Sequence, residues 1–448
     1  SKKEKRGASR LDMLVKYVNP LRLLLLSATP MYNDPKEIIW LINLMNKNDG
    51  RSVLDSREIF DKDGNFIEGA DGRESGKDLL MRKATGYVSF VKGDNPYSFP
   101  YRIFPNDFKS PLSLKKTRYP EQTILGARIV QPMEHLDLYC VDTGSYQSKV
   151  YNHIIDSIKS KTDDSKLSAD NMERFGYTVL QRPLEALNMT YPINDDESLT
   201  DVSINTLVGI EGLNRVMKFK KNKTDYEYRP GIEHIFERKH LRKYSAKLDH
   251  IVDAIMGAEG ICLVYSQFLD GGVVPLALAL EELGCKRFDG PSLLKSAPKK
   301  KNKITYTMIT GNEDLSPNNG LAVKRASDEA NKDGSIIKVI IISRAGSEGL
   351  DFANIRQVHI LEPWYNTNRI EQTIGRSVRN CSHKNLPFKE RNVMIFLYAT
   401  LLKDGNEAAD MYVYRVAELK AILIGRVTRA LKEGAIDCLL NKSQQDTA

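Results

Sequence analysis

The sequence predicts an α/β protein built on a parallel sheet, and three observations carry the prediction. Five unbroken apolar runs, residues 261–266, 304–310, 338–343, 357–361 and 393–399, lack the alternation of a half-exposed strand and read as strands buried on both faces. Helix-spaced segments at 247–256, 275–283, 320–331 and 368–378 lie between several of them, and such alternation makes a right-handed, doubly wound domain over about 246–402. Beyond it, Val413, Val416, Leu419, Leu423, Val427 and Leu431 recur at three- and four-residue steps, the stripe of a C-terminal amphipathic helix or helix pair.

The elements upstream are less complete. Residues 22–29 (RLLLLSAT), bounded by Pro20 and Pro30, read as one more buried parallel strand, and 35–45 as a helix with Pro35 at its first position. One strand and one helix cannot close a sheet. Residues 50–78, rich in Asp, Gly and Arg, read as a loop. Residues 79–105 carry aromatic runs broken by Gly93, Pro96 and Pro100, and the polar stretch 159–170 reads as exposed. The expected organisation is therefore a partial domain at 1–108, a mixed insert at 109–245, the sheet domain at 246–402 and a helical extension at 403–448.

Composition narrows the function classes. The 448 residues, 41% hydrophobic and 28% charged, have the balance of soluble globular protein and room for roughly two to four domains. No apolar stretch approaches the roughly 18 to 20 residues that cross a bilayer, so no membrane partner is expected. The N-terminus, Ser1-Lys2-Lys3-Glu4-Lys5-Arg6, leads into nothing like a secretory signal, and the five cysteines are odd in number and scattered. The expectation is an intracellular chain with free thiols and no metal site.

Net charge is +8, and residues 215–247 hold eleven Lys or Arg against four acids. Interleaved with Phe219, Tyr226, Tyr228 and Phe236, and followed by Lys299-Lys300-Lys301, this basic window has the composition of a surface for a polyphosphate backbone, or else of a solvated face.

Ligands of open α/β sheets bind beyond the carboxyl ends of the strands. There the sequence places Ser27-Ala28-Thr29-Pro30, with two hydroxyls, and Ser343-Arg344-Ala345-Gly346-Ser347-Glu348-Gly349-Leu350-Asp351. In the latter, glycines permit close backbone approach to a phosphate, and Asp351 can accept from a sugar hydroxyl. The helical segment Gln372-Thr373-Ile374-Gly375-Arg376-Ser377-Val378-Arg379 brings Gln372, Arg376 and Arg379 to one face, a pair of planar guanidinium forks suited to phosphate oxygens. Each feature has a plainer account as a βα turn or as surface arginines. Their order across more than 350 residues is what makes them one site.

In these residues the sequence resembles the superfamily 2 helicases and translocases. Ser27-Ala28-Thr29 is similar to motif III, Leu263-Val264-Tyr265-Ser266-Gln267-Phe268 to motif IV, residues 343–351 to motif V and residues 372–379 to the Q-x-x-G-R-x-x-R of motif VI. Residues 86–90 with 99–102, 186–192 and 435–440 further resemble blocks of the NTPases of large cytoplasmic DNA viruses, such as the poxvirus early transcription factor small subunit and nucleoside triphosphatase I. The resemblance implies a RecA-like helicase C-terminal domain, a partial first RecA-like domain before it, a mixed insert between them, and C-terminal helices. It implies ATP with Mg²⁺, with Arg376 and Arg379 at the γ-phosphate and Gln372 positioning the site. Gly349, Asp351 and Gly375 would lie at the nucleotide, Asp351 on the ribose. Ser343 and Ser266 would sit at the nucleic acid, and Ser27 and Thr29 would couple the two. DNA, with RNA as the alternative, and RNA polymerase or other transcription proteins are the implied partners; the host cytoplasm or the virion is the implied location.

The sequence departs from that pattern in one respect. Motifs I and II belong before motif III, and no match to either occurs. Gly76-Lys77 is followed by Asp78 and preceded at the required spacing by Asp71, so it fails as a P-loop, and Asp328-Glu329 follows no apolar strand. Two expectations stay open: the C-terminal part of an ATPase whose N-terminal RecA-like domain lies outside this sequence, inactive alone, or a non-enzymatic nucleic-acid-binding or polymerase-associated subunit.

Overall fold

The computed structural model describes residues 2–18, 20–70, 72–90, 97–160, 169–194, 196–220, 222, 224–296, 298, 302–344 and 349–439, with only the backbone of 2–6 and 169–178. The chain forms two compact units. The larger comprises residues 94–364 and 369–415, the smaller residues 1–93, 365–368 and 416–448.

The larger unit is organised by a sheet whose strands are β1 (Tyr101–Ile103), β2 (Tyr139–Asp142), β5 (Ile261–Tyr265), β6 (Lys286–Arg287), β7 (Thr305–Ile309), β8 (Val339–Ile342), β9 (Ile355–Ile360) and β10 (Asn392–Leu401); β3 (Met217–Lys218) and β4 (Glu227–Tyr228) form a separate antiparallel pair. The sheet order is β1-β10-β9-β5-β8-β7-β6, with every described pairing parallel. Each of the five expected sheet strands forms, β9 beginning two residues early. The sheet also reaches upstream of residue 246, because the ten-residue β10 pairs with β1 along its first three residues and with β2 along its last four.

Continuous apolar strands are explained by what covers them. Cys262 and Val264 of β5, with Val339 and Ile341 of β8, enter one core together with Leu248, Ile251 and Leu278 of the helices. Leu263 and Tyr265, with Ile340 and Ile342, enter a second core on the other face, with Ile370, Ile374 and Met411. With period-two side chains and both faces covered, strand positions are mostly apolar, and buried polar ones such as His359 find hydrogen-bond partners, here Tyr398 and Gln357. The helices Ala246–Gly257 and Val274–Glu282 match expectation: Ser245 caps the first by accepting from the Leu248 N–H (3.1 Å), and Pro275 opens the second.

Four expectations are corrected. The helix expected over 320–331 ends at Ala326, and a 3₁₀ turn, Glu329–Asn331, follows, because the Asp328 carboxylate takes the Ala330 N–H and competes with helix continuation. Residues 22–29 form no strand: Leu24 and Leu26 are 81% and 86% exposed, since a parallel strand needs a neighbouring strand and none pairs with it among the described residues. The 50–78 loop contains a short helix, Ser56–Ile59, closed by the reciprocal Asp55 and Glu58 capping box. Of the polar stretch 159–170, residues 159 and 160 end the helix Ser145–Ser160, residues 169 and 170 begin Ala169–Asn188, and 161–168 lie outside the described residues.

The smaller unit has its own core of Met31, Ile38, Ile42, Leu54, Ile59, Leu80, Val427 and Leu431. The last two come from Ala409–Glu433, the long helix expected from the C-terminal stripe. Gly76 starts the helix Gly76–Ala84, where a Cβ would meet the Ile59 carbonyl at 2.1 Å. A packing requirement thus accounts for the glycine of the false P-loop.

Candidate nucleotide and nucleic-acid site

The C-terminal ends of the central strands gather several of the polar side chains singled out in the sequence. Ser266 and Ser343 sit at the ends of the paired strands β5 and β8, and the Ser266 N–H donates to the Ile342 carbonyl (3.2 Å). Both are buried, at 1% and 3% exposure. The Ser266 hydroxyl donates to Glu362 beyond the end of β9 (3.0 Å), as do the Gln267 N–H and the Asn188 amide (2.8 Å). Burial pushes the Glu362 carboxyl up to about 7 despite these donors. Gly272, in the π-turn Leu269–Val273, leaves the room this arrangement needs, since a Cβ there would meet Ser266 Oγ at 2.1 Å.

Motif V and motif VI meet in space. Gly349 takes φ +72°, turning the chain so that Leu350 and Asp351 face the segment after the helix Thr367–Gly375. That helix stops at Gly375, short of the 368–378 expected, so Arg376 and Arg379 lie in the turns beyond it. They still converge: Arg376 Nη1 donates to the Leu350 carbonyl (3.1 Å) and lies 3.8 Å from Asp351 Oδ1, while Arg379 pairs with the same oxygen. The Phe352 N–H donates to the Arg376 carbonyl (3.0 Å), pinning the two backbones. Arg376 Nε is buried without a hydrogen-bond partner among the described residues, so one donor is spare. Gln372 is exposed on the helix, and among the described residues nothing lies within 4 Å of a Cβ added at Gly349 or Gly375. Residues 345–348 of motif V lie outside the described residues.

Four residues here, Arg344, Glu362, Trp364 and Arg369, went unremarked as site residues in the sequence. Trp364, just past β9, has the Arg369 guanidinium 3.8 Å and that of Arg344 5.9 Å from its ring centroid. With Glu362 it belongs to Glu362-Pro363-Trp364, and the signal that could have exposed it was a tryptophan, one of two in the chain, directly after a buried strand.

In the smaller unit, Ser27 and Thr29 lie on the unpaired segment, where the Thr29 N–H donates to Ser27 Oγ (3.1 Å). Within the same unit the Asn368 amide donates to the Met31 and Tyr32 carbonyls (3.2 and 2.9 Å).

The basic window is corrected in composition. Tyr226 and Phe236 are core residues, and Phe219 and Tyr228 pack against that core, so the aromatics do not present bases with a stacking surface. Much of the positive charge is matched locally: Arg215 pairs with Glu197, Lys220 with Asp225, Arg238 with Asp249 and Asp253, and Lys243 with Glu233. Lys247 is buried against Asp410 (2.7 Å). Lys299, Lys300 and Lys301 lie outside the described residues. No described helix is long and apolar enough to cross a membrane.

Residues 278–381 match the helicase conserved C-terminal domain. The chain is similar to a candidate ATP-dependent RNA helicase of Acanthamoeba polyphaga mimivirus, 28% identical over 426 residues, which cover 94% of this chain and 62% of that protein. It is also similar to a termination factor NPH-I homolog of African swine fever virus, 24% identical over 488 residues, which cover 98% and 61%. The chain therefore spans under two thirds of the length of either relative. Among solved structures, the C-terminal part of the Fun30 ATPase domain aligns with 66% of this chain and 98% of its own length, at 12% identity and a TM-score of 0.37.

Proposed function

We propose that this chain, a superfamily 2 helicase relative of the viral NTPases, supplies the arginine-bearing half of a nucleic-acid-dependent ATPase. Another domain, in a longer form of the polypeptide or in a second chain, supplies the P-loop and the Mg²⁺ ligands. One observation carries the proposal. Arg376 and Arg379 converge on a single point beyond the carboxyl ends of a parallel sheet, with the buried Nε of Arg376 unsatisfied among the described residues. Such a site fits an oxyanion, and a triphosphate held from the opposite side would complete it.

ATP, when bound, supplies the phosphoryl group that is transferred to water. The chain's own part is electrostatic. Two planar guanidiniums place fixed positive charge where equatorial phosphate oxygens gain negative charge, and an arginine finger is worth about 10³ to 10⁵ in rate. The Arg376 bond to the Leu350 carbonyl and the Phe352 bond to the Arg376 carbonyl hold that geometry in place. Following the resemblance, Ser343 and Ser266, at the ends of β8 and β5, are assigned to the nucleic acid and Ser27 with Thr29 to coupling, and DNA handled during transcription is the proposed substrate, in line with the termination factor named among the relatives.

The experiment joins the chain to a P-loop domain from a full-length relative and measures ATP turnover with and without DNA or RNA. Turnover stimulated by nucleic acid and lost in Arg376→Ala supports the assignment. Unchanged turnover in that variant refutes it.

A further inference from the structure

We infer that Asp351 is a positioning residue for the two arginines, a carboxylate that stands in for a phosphate until a triphosphate displaces it; this rests on the assignment of Arg376 and Arg379 to the triphosphate. The resemblance to known helicases implied a ribose contact for Asp351. The structure has its Oδ1 shared by two guanidiniums, Arg379 in direct contact and Arg376 at 3.8 Å. A carboxylate pairs with a guanidinium through the same planar fork that reads phosphate oxygens, so the two anions compete for one set of donors.

The surroundings suit an exchangeable pair. The side chains of Asp351 and Arg379 are 61% and 45% exposed, open to an incoming ligand, and exposed ion pairs of this kind are weak. Arg376 is less free, at 21% exposure, and is fixed to the backbone of the Asp351 segment through the Leu350 carbonyl. One arginine is thus anchored to the backbone and the other more exposed, and both meet at one carboxylate oxygen of Asp351, two residues after Gly349 with its positive φ. Without Asp351, two like charges would face each other with no anion between them. With it they stay gathered at small cost, and a triphosphate of several negative charges displaces a single one.

The test titrates inorganic tripolyphosphate into this chain at low salt, followed by calorimetry. Asp351→Asn removes the competing charge and should tighten binding about three- to five-fold, the equivalent of one exposed ion pair. That gain should vanish when Arg376→Ala and Arg379→Ala are present as well. Unchanged or weaker binding in Asp351→Asn, alongside binding that falls in the arginine double variant, overturns the stand-in role and leaves the arginine assignment intact. Tripolyphosphate binding indifferent to loss of both arginines overturns the arginine assignment itself. In ATP titrations of the chain joined to a P-loop domain, a ribose contact predicts that Asp351→Asn weakens ATP but not its 2′,3′-dideoxy analogue; that pattern likewise overturns the inference.

Discussion

Lys247→Met should destabilise the larger unit severely, although the residue counts in sequence as one of the basic window's charges. Lys247 is the second residue of the helix Ala246–Gly257, and its side chain is 1% exposed. Its ammonium lies 2.7 Å from Asp410 Oδ2 and donates to the Leu361 carbonyl (3.0 Å). Asp410, fully buried, also accepts from the Thr400 hydroxyl (2.7 Å) and N–H (3.2 Å). Removing the lysine leaves a carboxylate desolvated without this counter-charge, a loss of about 3 to 5 kcal/mol. Pairing it with Asp410→Asn removes the stranded charge while keeping an oxygen for Thr400, so the double variant should recover at least about 2 kcal/mol of that loss. Urea unfolding followed by tryptophan fluorescence measures both, with Trp364 reporting on the larger unit. A single variant costing under about 1 kcal/mol, or a double variant costing the sum of the singles, would refute the buried-pair account.

Four further outcomes are expected. In a protein carrying a P-loop domain, Arg376→Ala or Arg379→Ala should lower kcat about a thousand-fold or more with a smaller change in ATP affinity, and Lys should not rescue either. Because the Glu362 carboxyl is raised from 4.5 to about 7, the folded state holds a proton that the unfolded state releases between those values. Its contribution to stability, about 3 kcal/mol, is therefore complete below pH 4.5 and lost as pH rises through 7; in Glu362→Gln this slope should vanish from denaturation curves taken at pH 4 to 8. Gly272→Ala should cost about 1 to 3 kcal/mol in the same urea assay, because its methyl displaces Ser266 from Glu362. Reversing the charge at Lys299, Lys300 and Lys301 should weaken nucleic-acid binding and flatten its salt dependence by about 0.7 to 0.9 log units per decade for each lost phosphate contact; an unchanged slope removes this segment from the footprint.

Local chemistry made much of this protein legible before folding. Strands β5, β7, β8, β9 and β10 could be placed within a residue or two because burial on both faces demands unbroken apolar runs, and few other structures tolerate them. The helix Ala409–Glu433 followed from its stripe, and Arg376, Arg379 and Asp351 could be singled out because the pattern Q-x-x-G-R-x-x-R and the glycine-rich turn are contiguous in sequence.

Properties set by neighbours distant in sequence were not legible. Leu24 and Leu26 have the composition of a buried strand and are exposed, since hydrophobicity specifies a wish for partners and only tertiary structure supplies them. By composition Tyr226 and Phe236 sit within a basic surface window, and the packing of the insert made them core. Lys247 is a surface charge in composition and a buried ion in fact, because Asp410 arrives from more than 160 residues away. Sequence by itself determined the period of each element and which polar and charged groups follow each strand. Which strand meets which, which charge meets its opposite and where the two arginines point depended on long-range contacts, and these exist only once the chain has closed on itself.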